Sequence, residues 1–224
     1  MRASNRPLSG WYRGLLVLLA GLALTGCALS GRSPAAPVAT YVLEHAGDTT
    51  PTQSAANGTT LRISMPVSAP ELASSRMAYV EQPYRIDYFA QHAWADTPAR
   101  MLKPLLTQYL TGSGLFRVVF ADSAGVDETL RLDSNIIELL QWFTPTSSEI
   151  HLAIRFDLID VEHRRILLSQ TISITEVATA REPYAGVIAA NRAVQRALDQ
   201  LVAVLHDPVI AFGERLAQSG SAGR

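Results

Sequence analysis

The sequence predicts a single α+β domain: an antiparallel or mixed β-sheet with a long meander and two helices packed on one face. Three observations carry that class. Residues 129–143, 149–161 and 164–177 are successive segments of alternating hydrophobicity, joined by the short stretches TPTSS and VEHRR. A two-residue period with short connections makes hairpins with one wet face. Apolar residues recur at helical spacing after Pro98 and again from Tyr184 to Leu205, which adds two amphipathic helices. The length past the leader suffices for one hydrophobic core rather than two.

The first segment of the chain reads as a leader. Arg2, Arg6 and Arg13 precede an apolar run from Leu15 to Leu24, with no acidic residue before Gly26. That run is too short for the roughly 30 Å hydrocarbon core of a membrane; a basic start, a short greasy stretch and small residues describe a secretory signal peptide. It ends in Leu24-Thr25-Gly26-Cys27, and Cys27 is the only cysteine of the chain. That ending resembles a bacterial lipobox, and the resemblance implies cleavage before Cys27, dividing the chain into a signal peptide (1–26), a lipidated tether (27–39), the folded domain (40–210) and a flexible polar tail (211–224). Past Gly26 there are 16 basic and 20 acidic side chains, so nothing recommends a nucleic-acid partner.

Within the domain, residues 40–46 read as a first strand and 47–60, small and polar, as a loop. Residues 61–67 alternate Leu61, Ile63, Met65 and Val67 against Arg62, Ser64 and Pro66, a strand that Pro66 ends or leaves at an edge. Residues 77–81 and 84–89 pair around Gln82-Pro83. Asp96 or Thr97 caps the first helix, Pro98 opens it and Gly112 and Gly114 stop it. Pro104 should kink that helix or delay its start. Residues 115–120 form a strand before the meander. The last helix turns Val187, Val194, Leu198, Leu201 and Leu205 inward and Arg192, Arg196 and Asp199 outward.

Chemistry is sparse. The chain carries no nucleophile elbow, phosphate-binding glycine loop or HExxH motif. His45, His92, His151, His163 and His206 are not spaced as metal pairs, and Asp157 and Asp160 point to opposite faces of one strand. No catalytic residue, metal site or cofactor is expected. The pattern that invites a function is aromatic: Tyr79, Tyr84, Tyr88, Phe89 and Trp94 lie within sixteen positions. Rings with a polar end are enriched at binding surfaces, and they also suit strands and cores. Tyr84, Tyr88 and Trp94 are the candidate partner-binding residues, with Trp142 and Phe143 as a second patch.

The order of features is a Leu-Thr-Gly-Cys box, a Tyr41–Leu43 strand, LRISMPV leading to APEL, YRIDYFAQHAWADTPARMLKPLLTQYL, LFRVV, a meander and the terminal VIAANRAVQRALDQL helix. This resembles the ABC-type transport auxiliary lipoproteins, the PqiC-like family, from about Tyr41 to Leu205. The box resembles a bacterial lipobox, which implies acylation of Cys27, palmitate included. Ala28 in place of aspartate implies, by the same resemblance, the periplasmic face of the outer membrane. The family resemblance implies a non-enzymatic accessory that works with an MCE-domain protein and an ABC transporter of the inner membrane in moving lipids or other hydrophobic molecules. It leaves room for a homo-oligomer. The alternatives are a lipoprotein that activates a cell-wall synthase or pilots a secretion channel, and a direct lipid carrier.

Overall fold

The computed structural model describes residues 37–44, 58–121, 125 and 127–222. The chain divides into two compact units, Met1–Pro37 and Val38–Arg224, and every described strand and helix belongs to the second. The expected leader, Cys27 and most of the expected 47–60 loop lie outside the described residues.

The spine of the sheet is β7 (Leu130–Phe143), flanked along its length by β8 (Ser148–Asp160), which pairs in turn with β9 (Arg165–Val177). These are the three meander strands that the alternation predicts. On the other side of β7, three earlier strands follow one another in parallel: β2 (Thr60–Ile63), β3 (Val67–Ser68) and β4 (Arg76–Gln82). The antiparallel partner of β4 is β5 (Arg85–Trp94), and β5 carries the short parallel strand β1 (Ala39–Tyr41). At the other end β6 (Val118–Phe120) pairs with β2. The result is a mixed nine-stranded sheet with two helices, α1 (Pro98–Gly112) and α2 (Pro183–Ala222).

Alternation settles which face is dry. On β8, Ile150, Leu152, Ile154, Phe156 and Leu158 are buried; Leu152, Ile154 and Leu158 sit opposite Leu139, Ile136 and Leu132 of β7 and Ile174, Ile172 and Leu168 of β9. On the opposite face Arg155 pairs with Asp157 and donates to Ser169. Met101, Leu102, Leu105, Leu106 and Leu110 of α1 and Val187, Val194, Leu198, Leu201 and Leu205 of α2 are all buried, the stripes read from the sequence.

Several boundaries differ from the sequence reading. The strand expected over 61–67 breaks into β2 and β3 at Ser64–Pro66, where proline offers no N–H. The first strand is three residues long. Leu115 and Phe116, expected in a strand, are buried ahead of β6. Helix α1 starts at Pro98 with Thr97 as its cap and runs through Pro104; its expected delayed start is not seen. Gly114 follows at φ 69°, a left-handed backbone that glycine adopts without strain. The expected polar tail from 211 is instead helix as far as Ala222, because Val209 and Phe212 continue the buried stripe beyond Leu205.

Two carboxylates tie the meander down. Glu176 on β9 accepts from Arg192 Nε at 2.8 Å and Arg196 at 2.7 Å, clamping the strand to α2. Asp160 accepts from the His163 backbone N–H at 3.1 Å and faces the His163 ring and Arg165, closing the β8–β9 turn. Burial pushes both carboxyl groups up, but these donors outweigh it and hold both below their ordinary values. A depressed carboxyl contributes stability above its unfolded-state pKa, which is lost as pH falls through the folded one. Thermal stability should therefore fall as pH drops below about 4, the ordinary carboxylate range. In Glu176→Gln part of that acid dependence should vanish in pH-resolved melting curves, with a lower melting temperature near neutrality.

Candidate docking surface

The β4–β5 hairpin builds one half of an aromatic seam. Two residues of β4 span the same register as five of β5, between the pairs Arg76–Ala93 and Ala78–Tyr88. That irregularity lets Phe89 and His92, three positions apart, reach the same ring cluster. Tyr79 stacks on Phe89 with centroids 4.4 Å apart. Phe143, at the end of β7, meets Tyr79 edge-on at 5.8 Å and Phe89 at 6.2 Å. Phe89 meets His92 edge-on at 5.9 Å. His92 stacks on Tyr41 at 5.8 Å, and its Nδ1 lies 2.9 Å from the Tyr41 hydroxyl. Tyr41 in turn touches Tyr184 in the first turn of α2, at 5.9 Å. The Arg181 guanidinium closes the far end, 5.5 Å over the Phe143 ring.

Most of these rings are half-buried and Tyr184 is 55% exposed. A groove opens at each end of the seam. One, of about 440 Å³, is lined by Tyr41, Val42, Tyr184, Val187, Ile188 and Asn191 among others. The other, of about 300 Å³, is lined by Glu81, Gln82, Phe143, Thr144, Pro145 and Arg181. Asn191 fixes the first groove's wall: its side chain donates to the Val42 carbonyl at 3.2 Å and accepts from the Glu44 N–H at 2.7 Å. An apolar floor with polar groups at its rim is the anatomy of a protein-binding patch.

The structure separates the three residues singled out from sequence. Tyr84 stands in the hairpin turn at φ 68°, fully exposed. Tyr88, next to Phe89 and thus on the opposite face, carries Arg76 over its ring at 3.7 Å and donates to the Glu71 carbonyl. Trp94 is 5% exposed, within the core. Trp142 and Phe143 part in the same way: Phe143 joins the seam, while Trp142 stacks on His151 and donates to Glu138. Sequence reasoning missed Tyr41, His92 and Tyr184 as parts of a surface. Only their long-range pairing marks them, and a single chain shows no signal of it.

Among the described residues no group of three or more His, Cys, Asp or Glu could hold a metal ion, and no helix is long and apolar enough to cross a membrane. His163 pairs with Asp160, and His206 with Asp207. Fold and surface together describe an α+β domain that presents rings rather than reactive groups. The profile of the ABC-type transport auxiliary lipoprotein component family matches residues 41–202, and the chain belongs to that family: it is an auxiliary component of transport, of a lipoprotein type. No curated protein matches the sequence. The crystal structure of protein XCC0632 from Xanthomonas campestris is similar in fold, with a TM-score of 0.63 and 15% identity, covering 80% of this chain and 99% of that one. An uncharacterized protein of known structure gives a TM-score of 0.59 at 12% identity, covering 75% of this chain and 99% of that one. At these identities the likeness establishes the fold.

Proposed function

We propose that this protein is a non-enzymatic accessory of an MCE- and ABC-type system that moves lipids or other hydrophobic molecules between the membranes. Acyl chains on Cys27 hold it to the periplasmic face of the outer membrane, and the residues that follow serve as its tether. Several acyl chains at about 0.8 kcal/mol per CH₂ give anchoring that one chain cannot. The observation that carries the docking role is the seam from Tyr184 to Arg181, a continuous run of half-exposed rings with a groove at each end. Such rings supply most of the binding energy of a protein interface. Tyr84, two residues past the groove-lining Gln82, adds an exposed ring beside it.

Affinity purification of the lipidated protein from its native membranes tests this reading. Tyr184→Ser and Phe143→Ser should each lower recovery of the MCE-type partner by about tenfold, as loss of a ring worth 1–2 kcal/mol requires. Trp94→Ala should act differently: truncating a buried Trp costs about 3–5 kcal/mol of stability, so this variant loses abundance before it loses partner. Full recovery of the partner by both seam variants would remove the seam from the proposal.

A further inference from the structure

Among the described residues, strand β1 pairs on one side only, with β5. Two hydrogen bonds tell its sides apart. The Tyr41 carbonyl accepts from the Ala95 N–H at 2.6 Å, toward β5, while the Val42 carbonyl accepts from Asn191 of α2. Backbone groups of successive strand residues point to opposite sides, so Val38, Thr40 and Val42 turn theirs away from β5. The Val38 carbonyl, both backbone groups of Thr40 and the Val42 N–H find no partner among the described residues. Thr40 and Val42 are exposed and line the larger groove, whose far wall is α2.

Asn191 shows which chemistry this edge takes. Its carboxamide bonds the Val42 carbonyl and the Glu44 N–H together, filling one rung of the edge as the N–H and C=O of a neighbouring strand would. The rungs before it, from Val38 to Val42, are open. Tyr184 and Ile188 stand exposed on the facing helix, placed to receive side chains. Charge adds a sign. Arg192 lines the groove but is held by Glu176 and the Val177 carbonyl. The Glu44 carboxylate, also in the lining, has no hydrogen bond or ion pair among the described residues. The groove therefore carries one uncompensated negative charge, next to the rung that Asn191 fills.

We infer that this groove holds an extended segment of a partner protein, added as a short strand along Val38–Val42. The segment is apolar where it meets Tyr184 and Ile188 and basic where it meets Glu44. Strand addition draws affinity from main-chain hydrogen bonds and specificity from pockets for alternate side chains. A lipid chain would leave the open N–H and C=O groups unpaired, so the occupant is a polypeptide. Which protein supplies the segment rests on the transport role proposed above; the mode of binding does not.

A photo-cross-linking residue at Ile188 tests the inference, in the full-length, lipidated protein and in intact cells of its native host, with adducts mapped by mass spectrometry. The expected adduct falls in an apolar stretch of the MCE-type partner with a lysine or arginine beside it. Thr40→Pro removes only an outward N–H, on an edge where proline is tolerated, and should lower the adduct yield about tenfold at wild-type abundance. Thr40→Ala keeps that N–H and should leave the yield unchanged. Glu44→Lys should also lower the yield about tenfold, since like charges then meet. If Thr40→Pro loses abundance, Glu44→Lys decides alone, because its side chain is exposed. An adduct to the MCE-type protein that ignores both Thr40→Pro and Glu44→Lys overturns the strand addition and leaves the transport role standing. An adduct to another polypeptide that responds to both upholds the strand addition and overturns the transport role. Adducts to lipid alone or to a second copy of this chain, or no adduct, overturn the inference.

Discussion

Replacing Phe156 by alanine should lower the unfolding free energy by about 3–5 kcal/mol. Phe156 is fully buried at the middle of β8. Its cross-strand neighbours on the dry face are Ser134 and Gln170 rather than other large apolar residues. The cost of a cavity depends on how far its walls collapse, and a serine on one side has little to contribute. The Ser134 hydroxyl is itself buried and finds no hydrogen-bond partner among the described residues, so the space depends on the ring to stay filled and dry. Chemical denaturation of wild type and variant gives the difference directly. A loss below about 2 kcal/mol would show that helix α2 or the strands close over the gap.

Gly186→Ala is the second, and its sign is unusual. In a helix, alanine is ordinarily favoured over glycine by about 1 kcal/mol. At this position a Cβ would lie 2.2 Å from Gln141 Oε1 and 2.4 Å from its Cδ, inside any tolerable contact. Gln141 is 2% exposed, and its Nε2 is held by Ser148 Oγ and the Glu182 carbonyl, both at 3.1 Å. It cannot retreat without giving up those bonds. Overpacking of this kind costs about 1–3 kcal/mol, enough to reverse the helix preference. The Gly186→Ala, Gln141→Ala double variant should be more stable than the sum of the single effects predicts, by at least about 0.5 kcal/mol. The release is larger because Gln141 Oε1 is also buried without a partner among the described residues. Strict additivity in denaturation would mean that α2 shifts bodily instead. Such a shift would carry Tyr184 away from Tyr41, so partner recovery would fall along with stability.

The meander was legible because period-two alternation is local: each of β7, β8 and β9 states its buried face in its own residues, and so do the stripes of α1 and α2. What the sequence could not show is order in space. The parallel placement of β2, β3 and β4 against successive parts of β7 depends on loop closures that no local pattern encodes. The hairpin irregularity in β5 had the same effect on the candidate site. With regular alternation Phe89 and His92 would diverge; with the register slip both join the seam, and Trp94 ends in the core. Aromatic density along the chain pointed to this hairpin, but it could not show that Tyr84 stands exposed in the turn, Tyr88 packs under Arg76 and Trp94 is buried. Tyr41 and Tyr184, 143 positions apart in sequence, meet only in the fold. The extension of α2 past Leu205 was readable in Val209 and Phe212, but Pro208 and the polar residues beyond obscured it.

The most direct test of the docking role is a photo-cross-linking residue at Tyr184 in the full-length, lipidated protein, activated in intact cells of its native host. The account predicts an adduct to an MCE-domain protein or to a component of its ABC transporter, and no such adduct from the same probe at Arg155 on the wet face of the sheet. Adducts to a cell-wall synthase or a secretion channel, or equal labelling from both positions, would contradict it.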